Sequence, residues 1–238
     1  MAAVTSFVVD EADVDPVRED GDTASTRLTF EAEQLEQRVI RFAPGRSRER
    51  TADGRHDLLY VVAGTGELEL EGRRHALEPG TGAFVAPGET YAVENKGRDE
   101  LLLVSVSATA DLDVDDARRQ VTIRFDDQEE HTASVERRFR YLVNEDAGCL
   151  DVTQFIGLVE PSKAPFHSHP YEELGYILEG EGVAHVGGRS VPLRPGSCFH
   201  LPPEKVHCIE NVGPGQMRIL GVFHPSDSPA NRVYQDNK

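Results

Sequence analysis

The chain has 238 residues, which allows one large domain or two small ones at roughly 100–200 residues per domain. Its 42 acidic and 25 basic side chains give a formal charge of −17, which argues against nucleic acid and anionic membranes as partners. No apolar run approaches the roughly 20 residues that cross a bilayer. The start of the chain lacks signal-peptide features, and three cysteines are too few for a disulfide framework, so the expected location is cytoplasmic.

The N-terminal region is predicted to be an arm over residues 1–30. Its stretch 11–25 reads EADVDPVREDGDTAS, which is acidic and polar. Such a composition offers little apolar surface to bury. We therefore expect a loose, solvated segment here.

An internal repeat follows the arm. The segment LLYVVAGTG at 58–66 matches LGYILEGEG at 174–182, an offset of 116, and the alignment continues without a gap from Leu58/Leu174 to Ser107/Phe223. Of these 50 positions 14 are identical, and many of the identities are Gly or Pro, the residues that fix turns. The chain is therefore predicted to contain two copies of one fold.

Both copies are rich in short β segments. Gly, Pro and Asn interrupt apolar segments every 8–12 residues, a spacing typical of a sandwich or barrel. We assign the first copy to residues 31–110 and the second to residues 141–230. The stretch 111–140 is polar except for VTIRF at 121–125, and it is predicted to be the linker.

The second copy carries residue types that bind metals. His167 and His169 are two positions apart, so both side chains face the same side of a strand. Glu173 follows after a turn that contains proline, and His207 lies on a later strand that must fold back beside them. Three neutral imidazoles and a carboxylate suit a divalent transition metal and leave coordination positions open.

These segments resemble the two signature motifs of the cupin superfamily, G-x5-H-x-H-x3-4-E-x6-G and G-x5-P-x-G-x2-H-x3-N. The first motif ends at Gly180, and Pro161 stands in place of its opening glycine. The second motif is met by Gly196, Pro202, His207 and Asn211, with Glu204 replacing its inner glycine.

The resemblance implies an all-β bicupin, with a double-stranded β-helix (jelly-roll) barrel in each half of the chain. It implies that the metal ligands are His167, His169, Glu173 and His207. Glu172 is the alternative carboxylate, but the spacing of six residues to Gly180 favours Glu173.

The first copy lacks this set of ligands. Tyr91 stands where the second copy has His207, and the other ligand positions are occupied by Thr51, Asp53 and Asp57. A hard-cation site at Asp53 and Asp57 would have too few ligands. We therefore predict a metal-free N-terminal barrel in which Tyr91 packs in the core.

Other histidines have no such motif around them. They are expected to be exposed or satisfied by hydrogen bonds: His56, His75, His131, His185, His200 and His224. For His200, which is close to the second motif, contact with a metal ligand is the alternative. Cys208 follows His207 directly and is expected to point away from the metal.

Three functions of different classes remain open. The first is a metal-dependent oxygenase, which the resemblance slightly favours; the second is a metal-dependent isomerase, decarboxylase or lyase; the third is a non-catalytic module that binds a metabolite. The four-ligand set among apolar strands favours an enzyme over a pure binder. The expected cofactor is one divalent ion per chain (Fe, Mn, Ni, Zn or Cu), and the expected partner is a small-molecule substrate or ligand. The resemblance also implies a homodimer. The sequence assigns no catalytic residue.

Overall fold

Short strands make up most of the computed structural model, which describes residues 6–234; residues 1–5 of the predicted arm and residues 235–238 lie outside it. The described residues contain no α-helix, and their 3-10 helices are confined to Glu11–Asp13, Phe125–Asp127 and Glu145–Ala147. No helix in this part of the chain is long and apolar enough to cross a membrane.

The strands divide between the two halves of the chain. In the first half they are β1 (Val8–Asp10), β2 (Ala24–Glu31), β3 (Leu35–Phe42), β4 (Gly45–Arg46), β5 (Arg50–Thr51), β6 (Arg55–Ala63), β7 (Gly66–Leu70), β8 (Arg73–Leu77), β9 (Thr81–Val85), β10 (Thr90–Asn95), β11 (Leu101–Thr109) and β12 (Thr122–Arg124). In the second half they are β13 (His131–Ser134), β14 (Arg137–Val143), β15 (Thr153–Val159), β16 (Ser162–Lys163), β17 (His167–Ser168), β18 (Glu172–Glu179), β19 (Gly182–Val186), β20 (Arg189–Leu193), β21 (Ser197–Leu201), β22 (His207–Asn211), β23 (Met217–His224) and β24 (Val233–Tyr234).

Each half builds a barrel from two antiparallel sheets. The N-terminal barrel has one sheet in the order β12-β9-β6-β11-β3-β2 and another in the order β4-β10-β7-β8, with β5 also on β10. The C-terminal barrel has one sheet in the order β1-β21-β18-β23-β15-β14-β13 and another in the order β20-β19-β22-β17-β24, with β16 also on β22. The prediction of two tandem jelly-roll barrels is confirmed.

The repeat is visible in the strands themselves. Three consecutive strands of the first barrel, β7, β8 and β9, match β19, β20 and β21 at the offset of 116 with no shift at either end. Three aligned pairs, Gly72/Gly188, Pro79/Pro195 and Gly80/Gly196, lie in the turns between them. The internal similarity therefore reports equivalent strands and turns.

Two strands begin within residues 1–30, where a loose arm is predicted: β1, and β2, which pairs with β3 of the N-terminal barrel. Strand β1 pairs with β21 of the C-terminal barrel, with Val8 opposite Phe199. Directly after β1, Glu11 is buried and its carboxylate accepts two hydrogen bonds from Arg41 (2.9 and 3.0 Å). The apolar residues before the acidic stretch provide the reason, because Val8 becomes part of the barrel core.

The linker that precedes the C-terminal barrel contributes a strand to the N-terminal barrel. Strand β12, which lies within the VTIRF segment at 121–125, pairs with β9 of the N-terminal barrel, with Thr122 opposite Ala83. The segment that precedes each barrel thus adds an edge strand to the other barrel. This reciprocal exchange ties the two halves together.

Buried apolar side chains of the described residues form four clusters, and the smallest consists of Phe139, Phe155, Tyr171 and Phe223. The largest lies between the barrels and joins side chains of both halves, among them Leu35, Val39, Leu58, Phe84, Leu142, Ile156, Leu174, Tyr176 and Val222. A second fills the N-terminal barrel and includes Phe42, Leu59, Leu68, Leu77, Tyr91 and Leu103. A third lines the C-terminal barrel and includes Ile177, Leu193, Phe199, Leu201, Met217 and Ile219.

Candidate metal centre

The four predicted ligands come from both sheets of the C-terminal barrel. His167 on β17 lies opposite His207 on β22, and their ring centroids are 4.4 Å apart. The rings of His169 and His207 are 4.9 Å apart. Glu173 on β18 faces the same cavity as the three histidines. The fold therefore brings together residues up to 40 positions apart in the chain.

A backbone carbonyl oxygen lies within hydrogen-bond distance of Nδ1 in each of the three imidazoles. Nδ1 of His167 lies 2.9 Å from the Pro165 carbonyl oxygen, Nδ1 of His169 lies 2.8 Å from that of Tyr171, and Nδ1 of His207 lies 2.8 Å from that of Lys205. A carbonyl oxygen only accepts hydrogen bonds, so Nδ1 carries the proton in each ring. Each Nε2 then keeps a lone pair, the form that ligates a metal.

The Nε2 atom of His169 provides a test of whether these residues fit a metal. It is buried and has no hydrogen-bond partner among the described residues, although Oε2 of Glu173 lies 3.0 Å away. One ligand atom each from His169, Glu173 and His207 lies within 4.8 Å of the others, and His167 is not part of this closest group. A lone pair and a carboxylate that converge without a hydrogen bond fit a shared cation.

The protonation of the site suits a cation as well. Burial and the neighbouring His207 ring lower the pKa of His167 to about 3. Burial also lowers the pKa of His207, and it outweighs the opposing effect of the Glu173 carboxylate. Both rings are therefore neutral at physiological pH and available as ligands.

The two adjacent glutamates face opposite sides of the sheet. Glu173 points into the barrel, whereas Glu172 is turned towards the N-terminal barrel. There its Oε2 accepts hydrogen bonds from the backbone N–H groups of Gln34 (2.8 Å) and Leu35 (3.0 Å), and its Oε1 lies 2.9 Å from Nε2 of His200. Alternation along a strand thus separates Glu172 and its partner His200 from the cavity.

Aromatic side chains form part of the cavity wall. The Tyr171 ring stacks on His169, with centroids 4.0 Å apart and planes 9° apart, and it also stacks on Phe223. Phe155 lies against Phe223 at 4.7 Å. These contacts hold the His169 ring in place and make one side of the cavity apolar.

Three arginines line the cavity, and the sequence analysis missed all of them. The Arg138 guanidinium is paired with the Glu160 carboxylate (2.6 Å), which leaves Arg137 and Arg232. Arg137, at the start of β14, is buried and its guanidinium donates a hydrogen bond to the Ile209 carbonyl oxygen (2.7 Å). Arg232 comes from the C-terminal segment, where β24 pairs with β17 and places Tyr234 opposite His167. Arg137 lies in the predicted linker and Arg232 beyond the predicted second copy, so no motif includes them.

The N-terminal barrel presents different residues at the matching positions. The Tyr91 hydroxyl donates a hydrogen bond to Oδ2 of Asp57 (3.2 Å), and Tyr91 is buried as predicted. Thr51 and Asp53 are exposed. Within the described residues no group of three possible ligands lies inside this barrel.

Of the remaining histidines, His224 differs from expectation, because it is buried and neither ring nitrogen has a hydrogen-bond partner among the described residues. His56 is also buried, but its Nε2 lies 2.9 Å from Oδ2 of Asp151, so a hydrogen bond satisfies that nitrogen as expected. Cys208 does point away from the cavity, because its thiol lies 3.0 Å from the Ala164 carbonyl oxygen.

Comparison with known proteins places these observations in a family. The cupin domain family matches the chain twice, at residues 38–107 and 156–223, which is more than half of its length. The oxalate-binding protein of Thermotoga maritima is 39% identical over 63 residues, which cover 26% of this chain and 52% of that protein. The chain spans about half the length of the curated relatives it matches.

Solved structures show the same fold over most of the chain. The putative glyoxylate-induced protein from Pseudomonas aeruginosa is 22% identical with a TM-score of 0.75, covering 94% of this chain and 91% of that one. The oxalate decarboxylase of Lactobacillus farciminis is 15% identical with a TM-score of 0.77, covering 98% and 90%. With a cupin domain in each half, the chain belongs to the cupin family and is a bicupin.

Proposed function

We propose that the C-terminal barrel binds one divalent transition metal through His167, His169, Glu173 and His207, and that this site takes a small carboxylate anion. The observation that carries the proposal concerns the three arginines in the wall of the same cavity. Arg138 is paired with Glu160, whereas Arg137 and Arg232 form no ion pair with a carboxylate of the described residues. Cations placed beside a metal site favour a ligand with negative charge beyond what the metal itself neutralises.

The electrostatics of the arginine pair support an anion. Burial and the nearby charge of Arg232 lower the pKa of Arg137 to about 10, so Arg137 remains protonated at neutral pH. Two guanidinium groups that repel each other are both stabilised by a carboxylate between or beside them. Guanidinium also matches a carboxylate geometrically through two parallel hydrogen bonds.

The size of the cavity restricts the ligand. Its volume is about 70 Å³, well below the roughly 300–1,000 Å³ of pockets for drug-sized molecules. The ligand therefore has only a few non-hydrogen atoms. The name of the Thermotoga maritima relative, an oxalate-binding protein, supports oxalate as the first probe.

For the reaction we favour the decarboxylase, lyase or isomerase class. A divalent metal in this site supplies a Lewis acid for a carboxylate oxygen. Arg137 and Arg232 orient the anion, and the rings of Phe155 and Phe223 exclude water from one side of it. The oxygenase that the sequence resemblance favours has no counterpart in the names of the relatives described above. Non-catalytic binding is the second candidate, because the relative that supports the ligand is named for binding.

The experiment measures oxalate binding by calorimetry on protein reconstituted with Mn²⁺. Wild-type protein is expected to bind one oxalate per chain, and Arg137→Gln and Arg232→Gln are expected to weaken binding at least about tenfold through loss of a charge-assisted contact. The matched control is Arg218→Gln, because Arg218 pairs with Glu179 on the outer surface. Oxalate affinity that is equal in all four proteins would contradict the proposal.

Turnover then separates the reaction classes. The loaded protein is incubated with oxalate with and without dioxygen, and released CO₂ is measured. Release without dioxygen supports the lyase class, and release only with dioxygen supports the oxygenase. Binding with no turnover at any metal loading supports the binding module. The homodimer and the four assigned ligands stay predictions until mass in solution and metal content per chain are measured.

A further inference from the structure

A second group of metal-ligand side chains lies between the two barrels. Asp111, Asp151 and His224 each present one ligand atom, and the three atoms lie within 4.8 Å of one another. Asp111 begins the linker after β11, Asp151 precedes β15, and His224 ends β23. We propose that this group binds one divalent transition metal ion, with Zn²⁺ as the probe, and that the ion joins the linker to the C-terminal barrel.

His224 is the residue that points to a ligand. Its side chain is only 6% exposed, and neither ring nitrogen has a hydrogen-bond partner among the described residues. Its Nε2 lies 3.5 Å from Oδ2 of Asp111, so the ring is aimed at the carboxylate. A buried polar group without a partner is unfavourable, and a metal ion at Nε2 supplies the missing partner.

Asp151 is held in place before any ion binds. Its side chain is 4% exposed, and its Oδ2 lies 2.9 Å from Nε2 of His56 and accepts hydrogen bonds from the backbone N–H groups of Asp111 (3.2 Å) and Leu112 (3.0 Å). Such contacts orient a ligating carboxylate. Because His56 belongs to β6, the N-terminal barrel contributes a positioning residue to the site.

The donor set and its access suit a borderline cation. One imidazole and two carboxylates are ligands that Zn²⁺ and neighbouring transition ions accept, and three protein ligands leave room for water. The Asp111 side chain is 63% exposed, so an ion reaches the group from solvent on that side.

This group is separate from the candidate centre in the barrel. His224 directly follows Phe223, which lines the barrel cavity, and successive side chains of a strand face opposite sides. His224 lies opposite Glu172 in the ladder, the glutamate that also faces away from the cavity. The sheet thus lies between the two sites, and the second proposal does not depend on the first.

The test removes two ligands of the barrel site and measures the Zn²⁺ binding that remains. In the variant His167→Ala/His207→Ala, calorimetric titration with Zn²⁺ is expected to give one ion per chain. Adding Asp111→Asn is expected to weaken that binding by more than the roughly 10–100-fold typical of losing a residue that only supports a ligand. The matched control adds Asp113→Asn instead, an exposed carboxylate two residues along the same linker, and is expected to change nothing.

A second measurement uses the chain with its barrel ligands intact. Wild-type protein is expected to bind two Zn²⁺ per chain and Asp111→Asn only one, with oxalate binding in the barrel unaltered. His56→Gln is expected to lower the affinity of the second ion by about 10–100-fold with the stoichiometry unchanged. The proposal is overturned if the double variant binds no Zn²⁺ while its circular dichroism is native, or if Asp111→Asn binds as tightly as Asp113→Asn.

Discussion

In the N-terminal barrel Leu59 on β6 lies opposite Ala83 on β9, whereas at the matching positions of the C-terminal barrel Gly175 lies opposite Phe199. A Cβ atom on Gly175 would lie 2.0 Å from Cζ of Phe199, so the aromatic ring covers the glycine. A ring that lies flat against the sheet lines the wall of a barrel, while a leucine that projects inward fills its centre. Exchanging large and small residues across one strand pair thus changes which side chain fills the space next to this part of the sheet in each barrel.

The polar residues inside the two barrels also differ. At the position of Glu173 the N-terminal barrel has Asp57, and at that of His207 it has Tyr91, whose hydroxyl donates a hydrogen bond to the aspartate. A hydroxyl that donates satisfies the carboxylate, whereas an imidazole nitrogen with a free lone pair does not. In the N-terminal barrel the polar pair is therefore satisfied by its own hydrogen bond, and in the C-terminal barrel the polar groups remain open to a ligand.

The largest expected effect separates the barrels by metal content. Replacing His207 with alanine removes a ligand and is expected to abolish stoichiometric metal binding by the C-terminal barrel. Tyr91→Phe, the matching change in the N-terminal barrel, is expected to leave it unaltered. Elemental analysis per chain after dialysis, with Mn²⁺ as the added metal, measures both; Asp111→Asn is present in every protein compared, so that the group between the barrels does not contribute. Loss of the metal from Tyr91→Phe would show that the site is assigned to the wrong barrel.

The next prediction concerns the contact between Gly175 and the Phe199 ring. Gly175→Ala forces a methyl group into the Phe199 ring, and overpacking of this kind is expected to destabilise the protein by about 1–3 kcal/mol. Gly215→Ala is the control, because a Cβ at Gly215 meets nothing within 4 Å. Denaturant unfolding measures both. Equal stability of the two variants would mean that the ring moves aside freely and does not shape the cavity.

Much of this comparison was readable in the sequence, because turns and strand alternation are local. The repeat predicts two equivalent barrels, and the spacing of His167, His169 and Glu173 predicts side chains that share a face. The residues that the sequence missed meet only through long-range contacts. Arg232 reaches the cavity from the C-terminal segment, and His224 meets Asp111 across 113 positions of chain. No periodicity or motif reports a contact of this kind.

The two exchanged strands offer a smaller effect. After β1, Glu11 forms a partly buried pair with Arg41 and accepts a hydrogen bond from the Tyr176 hydroxyl (3.3 Å). Glu11→Gln is expected to cost about 1–2 kcal/mol, since it removes charge-assisted hydrogen bonds. At β12 the equivalent pair, Arg124 with Glu78, is exposed, so Glu78→Gln is expected to change stability by under about 1 kcal/mol.

Chemical denaturation of both variants checks this difference. If Glu11→Gln proves as mild as Glu78→Gln, the first exchanged strand is held by its backbone pairing alone. If Glu78→Gln is the more damaging, the exposed pair at β12 contributes more than its geometry predicts.

The smallest effect concerns Asp57, the acidic residue that the N-terminal barrel has at the position of Glu173. Burial raises the pKa of Asp57, although hydrogen bonds from Ser107 and Tyr91 and the charges of nearby arginines oppose the rise. The folded protein therefore holds this proton more tightly than the unfolded chain does. The stability that protonation contributes is present at pH below the ordinary pKa of about 3.9, and it is lost as the pH rises through the higher pKa of the folded state.

Asp57→Asn removes this titration and is expected to be slightly more stable than wild type at pH 7, by no more than about 1 kcal/mol, with the gain shrinking below pH 4. Thermal melts of metal-free protein across pH 3–8 measure the gain. A gain that grows towards low pH would mean that the buried carboxylate stabilises the barrel as an ion.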